Sequence, residues 1–169
     1  MRSLVVSTLA ALSLAVGVWA AETPKLDYSI EDQFGTTHTD EDCGGAVTLV
    51  IGSDRKGVQY IDVWGQAFQR ALATELDDGT VCSVGFAHLK GAPFFVKKKI
   101  VASFSRDPDA WTLLDWKGYF AKTWGAEKDA ANLYLFGRDG RLIFRETLLD
   151  FDQTQFDRIV AATRMEVAR

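Results

Sequence analysis

The chain has 169 residues, which is enough for one domain with a proper core but not comfortably enough for two. Its composition, 47% hydrophobic and 25% charged, excludes a wholly disordered chain. A net charge of -4 argues against a dedicated nucleic-acid binder, because such a protein shows a basic face. The single basic run, Lys97–Lys99, is interpreted as the solvated face of a helix.

The first twenty residues have the pattern of a secretory signal. Arg2 supplies a positive start, Leu4 to Val18 form an apolar segment, and small residues precede an expected cleavage site after Ala20. The apolar segment is interrupted and short for a membrane span. We therefore expect an exported mature protein that is free of the membrane and, in a Gram-negative bacterium, periplasmic. Residues 21–27 are expected to form a flexible lead-in to one domain over residues 28–165.

The first half of the mature chain predicts a hairpin followed by a strand–helix–strand unit. Residues 28–38 alternate around a turn glycine, which is typical of a short hairpin. The runs Ala46–Ile51 and Thr80–His88 are almost continuously apolar, as expected of parallel strands buried on both faces. Between them, apolar residues at helical spacing predict an amphipathic helix from about Arg55 to Leu76. Gly52-Ser-Asp54 ends the first run and offers N-cap candidates for that helix.

The second half predicts a helix opening near Pro93, a strand over Trp111–Leu114, and a compact helix. Two apolar runs then follow, Leu133–Phe136 and Leu142–Phe144, joined by the tetrad GRDG. Asp-Gly between alternating apolar runs indicates a tight hairpin, since glycine accepts the positive φ of the turn. A final helix follows residues 150–152. The predicted order is β-β, then β-α-β-α-β-α-β-β-α, which indicates a sheet with helices on both faces.

In this order the segments resemble the thioredoxin-like superfamily, in its exported peroxiredoxin/TlpA-like branch. The resemblance depends on Ile30–Gly35, on the D-x-x-G-x-x-A pattern from Asp115 to Ala121 with the Trp-Gly pair after it, and on Leu133–Gly140. The chain is most similar to the YtfJ-type family of periplasmic thioredoxin-like proteins, which lack active-site cysteines. The resemblance spans Tyr28 to Thr163. It implies an α/β fold, a thioredoxin-like three-layer α/β/α sandwich with a mixed central sheet and an N-terminal β-hairpin.

Two positions depart from the active members of that superfamily. The resemblance implies a nucleophilic cysteine at the helix N-terminus after the first central strand, where N–H groups favour a thiolate. Here that place reads Gly52 to Lys56 and contains no sulfur. The resemblance also implies a cis-proline before the strand that faces the thiol, and the matching residue is Ala131. We therefore expect the redox site to be absent.

Cys43 and Cys82 are the only cysteines, and an exported chain with two tends to oxidise them. Each lies near the start of a predicted parallel strand, so both are expected at the N-terminal pole of the sheet. A disulfide is geometrically possible there if the two Cα atoms come within about 7 Å. A structural bridge is the preferred interpretation; two buried free thiols and a reactive pair are the alternatives.

Candidate ligand-binding residues are expected at the opposite edge, where ligands of open α/β sheets bind beyond the strand ends. With Asp54 beside them, these candidates are Ser53, Arg55, His88, Asp115 and Asn132. Helix N–H groups and an arginine there could hold an anionic or polar ligand. In the alternative interpretation Ser53 and Asp115 are helix caps, Arg55 is solvated, and His88 is an ordinary strand-end residue.

The predicted function is that of an exported thioredoxin-like domain without an active-site CxxC. It would be a non-catalytic binding or accessory protein of the periplasm, with an unknown protein or a small polar ligand as partner and no cofactor. The alternative is a thiol-dependent peroxidase or disulfide oxidoreductase that uses Cys43 or Cys82, so enzymatic activity stays open. His38 and the acidic residues 40–42 are not expected to bind metal, because copper delivery by such proteins needs a cysteine pair.

Overall fold

A computed structural model describes residues 24–169, so the predicted secretory signal lies outside the described residues. Over these residues seven strands and five helices follow the predicted order, except that the first predicted helix is divided into two. The strands are β1 (Ser29–Glu31), β2 (Thr37–Thr39), β3 (Val47–Ser53), β4 (Val81–His88), β5 (Leu113–Asp115), β6 (Ala131–Phe136) and β7 (Leu142–Leu148). The helices are α1 (Val58–Ala71), α2 (Ala73–Asp77), α3 (Lys97–Val101), α4 (Tyr119–Trp124) and α5 (Gln153–Val167).

The central sheet has five strands in the order β5-β4-β3-β6-β7, and the hairpin of β1 and β2 forms a separate pair. Strands β3, β4 and β5 are parallel, whereas β6 runs antiparallel to β3 and β7 antiparallel to β6. All seven residues of β3 are buried, which confirms the prediction of a central strand from its continuous apolar run. The mixed sheet and the N-terminal hairpin are both as expected.

Helices cover both faces of this sheet. On one face, α1 and α5 pack Trp64, Phe68 and Ile159 against alternate residues of β3 and β6. On the other face, Phe120 and Trp124 of α4 join the opposite set of strand residues. The lead-in also contributes to this second cluster, because Leu26 is buried and its N–H donates to the carbonyl of Gly140.

The hairpin between β6 and β7 turns at the tetrad that the sequence singles out. The N–H of Gly140 donates to the Gly137 carbonyl at 2.9 Å, and the N–H of Gly137 donates to Arg141 at the same distance. Gly140 has a φ of 76°, a value that L side chains rarely adopt. The Asp-Gly signal therefore identified this turn correctly.

The prediction of one helix from Arg55 to Leu76 is wrong at its start and in its continuity. Helix α1 begins at Val58, because the Asp54 carboxylate accepts N–H groups of Lys56 and Gly57 and holds the preceding residues in a turn. The helix capping residue is Gly57, not Ser53 or Asp54, which were the predicted candidates. At the fully buried Leu72 the backbone leaves the helical region, with φ -106° and ψ 19°, and α2 follows as a separate short helix.

Candidate functional site

The predicted ligand-binding residues lie along one edge of the central sheet. Ser53, His88 and Asp115 are the last residues of the three parallel strands, and His88 stands opposite Asp115 in register. Strand β6 starts at the same edge, where Asn132 pairs with Gly52. Arg55 lies in the turn after β3 and is exposed. The topology thus brings the five candidates to one edge, although their side chains are used differently.

Asp115 is committed to the start of helix α4. It is 1% exposed, and its two carboxylate oxygens accept the N–H groups of Tyr119 at 2.7 Å and Phe120 at 3.1 Å. A carboxylate in this position is favourable because the first N–H groups of a helix lack partners within the helix and carry partial positive charge. The interpretation of Asp115 as a helix cap therefore fits its geometry.

Asn132 is committed to the loop before its own strand. Its Oδ1 accepts the N–H of Glu127 at 2.7 Å, and its Nδ2 donates to the carbonyls of Glu127 at 2.9 Å and Ala130 at 3.3 Å. The residue is 4% exposed. Its hydrogen-bonding capacity is thus almost fully used inside the protein, and its role at the edge is to position residues 127–130.

The carboxylate of Asp54 accepts three backbone N–H groups in and beside the turn after β3. Its Oδ2 accepts the N–H of Asp129 at 3.2 Å, in addition to the two N–H groups of its own turn. Burial raises the pKa of Asp54, but hydrogen bonds from Gly57, Asp129 and Lys56 outweigh it and, with the charge of His88, leave the pKa below its ordinary value of 3.8. Because this negatively charged carboxylate already accepts the N–H groups, it repels an anionic ligand from the turn. Of the two expected ligand types, a polar group with donors suits this turn better.

His88 has a buried ring nitrogen that the described residues leave without a hydrogen-bond partner. Its side chain is 14% exposed, and Nδ1 lies 3.8 Å from Oδ2 of Asp115. That distance is too long for a hydrogen bond, though it permits an ion pair when the imidazole is protonated. Nδ1 is buried and has no hydrogen-bond partner among residues 24–169. Buried polar atoms are normally paired, so His88 has capacity that the described residues do not use.

The two cysteines form a disulfide at the opposite pole of the sheet, as the preferred interpretation predicted. Their Cα atoms are 5.5 Å apart. Cys82 faces Thr48 near the start of β3, and Cys43 is buried in the apolar cluster that contains Val84 and Tyr134. The end of β3 and the turn after it read Ser53-Asp-Arg-Lys-Gly57, without sulfur, and Ala131, the residue matched to the cis-proline, is the first residue of β6. Neither cysteine lies near the edge that carries the candidate residues.

His38 has a role that the sequence did not reveal. Its Nδ1 lies 2.9 Å from a carboxylate oxygen of Asp42, its Nε2 lies 3.1 Å from one of Asp32, and its ring stacks on Trp111 with centroids 3.9 Å apart. Part of the acidic stretch is therefore paired with a histidine and not simply solvated. Among residues 24–169, no three His, Cys, Asp or Glu side chains are arranged to hold a metal ion. The described helices also include none that could cross a bilayer.

Comparison with known proteins identifies the fold. No protein-family model matches the chain, and no curated protein matches its sequence. Among solved structures, the exposed lipoprotein thioredoxin of Streptococcus pneumoniae superposes with a TM-score of 0.62 at 13% identity, covering 82% of this chain and 98% of that one. Peroxiredoxin Q of Xanthomonas campestris has a TM-score of 0.61 at 14% identity, covering 88% of this chain and 98% of that one. A Chlorobium tepidum protein assigned as thiol:disulfide interchange protein DsbE has a TM-score of 0.60 at 16% identity, covering 83% of this chain and 96% of that one.

The chain therefore has a thioredoxin-like fold, as the resemblance implied. At these identities the likeness concerns the fold and does not transfer an activity. The closeness to the YtfJ-type family stays a prediction.

Proposed function

We propose that the protein is an exported, non-catalytic binding or accessory module of the periplasm that recognises a protein or a small polar ligand at the edge formed by Ser53, Arg55 and His88. The observation that carries the proposal is the separation of sulfur from this edge. The turn after β3 contains Asp54 where the resemblance implies a nucleophilic cysteine, and the bridged cysteines lie at the other pole.

The separation is too large for the bridge to react with a molecule bound at the edge. Cys82 is level with Thr48, and the edge begins at Ser53, five residues further along β3. At about 3.3 Å per residue these levels are roughly 17 Å apart. Thiol–disulfide exchange requires direct attack of one sulfur on another, so a substrate held at the edge is out of reach.

The recognition surface has fixed and available parts. Asp115 and Asn132 position the backbone of the edge through their internal hydrogen bonds. The exposed Arg55 and the partly exposed His88 are the side chains available to a partner. Export is supported by the signal pattern of residues 1–20 and by the disulfide, since such bridges persist in oxidising compartments.

A redox assay tests the absence of catalysis. The mature protein is denatured and its thiols titrated with and without prior reduction, and the native protein is assayed for insulin reduction and peroxide consumption. We expect no thiol before reduction, two afterwards, and rates equal to those of a Cys43→Ala/Cys82→Ala variant. Turnover that this variant loses would establish the thiol enzyme instead. Intact mass of the periplasmic protein tests export, since cleavage should leave Ala21 as the first residue.

Site-specific photo-cross-linking tests the recognition edge. A photoreactive side chain at Arg55 should give a discrete product in the producing cell, and His88→Ala should abolish it. The same label at Arg70, an exposed position in the last turn of α1, serves as the matched control. Equal labelling from both positions, or no effect of the His88 substitution, would refute recognition at this edge.

A further inference from the structure

A second concave surface lies beside the outermost strand of the sheet, away from the turn after β3. This groove runs between the tip of the N-terminal hairpin and helix α3, and it encloses about 490 Å³, within the usual range of small-molecule sites. Leu114, Trp116 and Val101 provide apolar lining, together with the half-exposed Phe34 at the hairpin tip. Basic side chains complete it.

The walls of the groove are held in place by buried hydrogen bonds. Gln33 is 9% exposed, and its Nε2 donates to the carbonyl of Ala110 at 2.9 Å while its Oε1 accepts the N–H of Thr112 at 2.8 Å. The neighbouring Asp32 forms a bridge with Leu113 of β5. The hairpin tip is thus fixed to the segment that follows α3. A preformed site spares a ligand the cost of ordering its walls.

The groove carries an excess of unpaired positive charge. Lys97, Lys98 and Arg106 line it, and within residues 24–169 none of the three lies within 4 Å of a carboxylate. Two carboxylates also line it. One of them, Asp32, is buried and paired with His38 and with the N–H groups of two neighbouring residues, so the exposed Glu31 is the carboxylate that opposes the three cations.

The position of one cation is further defined by an aromatic ring. The ammonium of Lys97 lies 4.7 Å from the centroid of the Trp116 ring, a cation–π arrangement. It stands beside apolar lining, so a positive charge and a hydrophobic surface face the same space. That combination suits a ligand with an anionic group at one end and an apolar body at the other.

We propose that this groove binds a small organic anion, with its carboxylate, sulfonate or phosphate near Lys98 and Arg106 and its apolar body against Leu114 and Trp116. The volume of about 490 Å³ is that of a small-molecule site, which favours a compact ligand over an extended protein segment. The site is separate from the edge of Ser53, Arg55 and His88. Its test is therefore independent of the proposed recognition there.

The experiment uses phenylbutyrate as the anionic probe and phenylbutyramide as its neutral match. Two-dimensional amide and indole NMR of the mature protein follows both titrations, and Trp116→Phe assigns the indole signal. We expect saturable shifts at Trp116 and in α3, with the acid binding about ten-fold more tightly than the amide because charge-assisted contacts are the stronger ones. Added salt should weaken binding of the acid and not of the amide.

Paired variants assign the charge to the groove. The double variant Lys98→Ala/Arg106→Ala should bind phenylbutyrate about ten-fold more weakly and should bind phenylbutyramide as the wild type does. The control variant Lys122→Ala/Lys128→Ala removes two exposed cations outside the groove and should change the affinity for neither probe. Circular dichroism verifies that both double variants fold. The proposal is wrong if the acid and the amide bind equally, if the acid gives no saturable shift at Trp116 up to its solubility limit, or if both variants behave alike. Much tighter binding of an acidic peptide than of phenylbutyrate would assign the groove to a protein partner instead.

Discussion

Reduction of the Cys43–Cys82 bridge should lower the free energy of unfolding by about 4 kcal/mol. The bridge joins residues separated by 39 positions, and closing a loop of that size removes conformational entropy from the unfolded chain that corresponds to this value at 25 °C. For a domain of roughly 150 residues, a loss of this size lowers the melting temperature by roughly 8–16 °C. The effect arises mainly in the unfolded state, so the native fold should persist.

Urea unfolding, followed by tryptophan fluorescence, measures this loss. The oxidised protein, the same protein in dithiothreitol, and Cys43→Ala/Cys82→Ala are compared. With a slope of about 2 kcal/mol per molar urea, the midpoint of the last two should lie about 2 M below that of the first. The double variant is also the control for the reductant, because dithiothreitol should not shift its midpoint.

Two outcomes would contradict the reasoning. A decrease of less than about 0.5 M in both reduced protein and variant would mean that the bridge hardly restricts the unfolded chain, contrary to the loop-entropy account. Loss of native circular dichroism on reduction alone, without urea, would mean that the bridge maintains the folded state itself. The first outcome would refute the entropic argument, and the second would refute the expectation that the native fold persists without the bridge.

Four further substitutions, of which Gly65→Ala is a control that meets no neighbour, are measured by the same urea assay. Gly52→Ala should lower the free energy of unfolding by about 3 kcal/mol or more, because its Cβ would lie 2.2 Å from backbone and ring atoms of Phe86 on the adjacent strand. Gly65→Ala, whose Cβ meets nothing within 4 Å, should raise the free energy of unfolding by about 0.5–1 kcal/mol. Asp32→Asn should destabilise at neutral pH, and the gap should close as pH falls below 3.8, because the pKa of this carboxyl is lowered by folding. Trp64→Phe should cost about 1–3 kcal/mol by leaving the Leu149 carbonyl without its 2.8 Å donor; equal stability would refute that hydrogen bond.

The pKa of Asp32 has a definite physical origin. Burial raises it, but the hydrogen bond with His38 and those from the N–H groups of Thr36 and Phe34 outweigh burial and lower it. Such a group stabilises the fold fully above its unfolded pKa and loses that contribution as it protonates at lower pH. If the gap between wild type and Asp32→Asn widened on acidification, the sign of this interpretation would be wrong.

The order of elements along the chain was predictable because the sequence signals were local and consistent. Continuous apolar runs gave β3 and β4, the Asp-Gly pair gave the last hairpin, and parallel strands necessarily end at a common edge. The start of α1 was not predictable from helical spacing alone. There, a side chain of Asp54 competes with the helix for the N–H groups of residues 56 and 57.

The side-chain roles at both sites depend on contacts between distant segments. Asn132 was correctly placed at the edge, yet its amide serves a loop that no periodicity describes. The groove escaped prediction because Gln33 joins segments that are 77 and 79 positions apart in the chain. Likewise, His38 meets Trp111 only after folding. Spacing rules reach one helix turn or one strand, and these contacts lie beyond that range.

The turn after β3 explains why binding is a better proposal than thiol transfer. At this place a thiolate would gain from the N–H groups near a helix N-terminus. Asp54 uses N–H groups of the same turn, and because its pKa is lowered it supplies a permanent negative charge without a nucleophilic sulfur. A carboxylate thus provides the negative charge that a thiolate would have at this place, but it cannot take part in thiol–disulfide exchange. Together with the partly exposed His88, this negative charge supports the proposed recognition of a hydrogen-bond donor at the edge, a role that needs no sulfur.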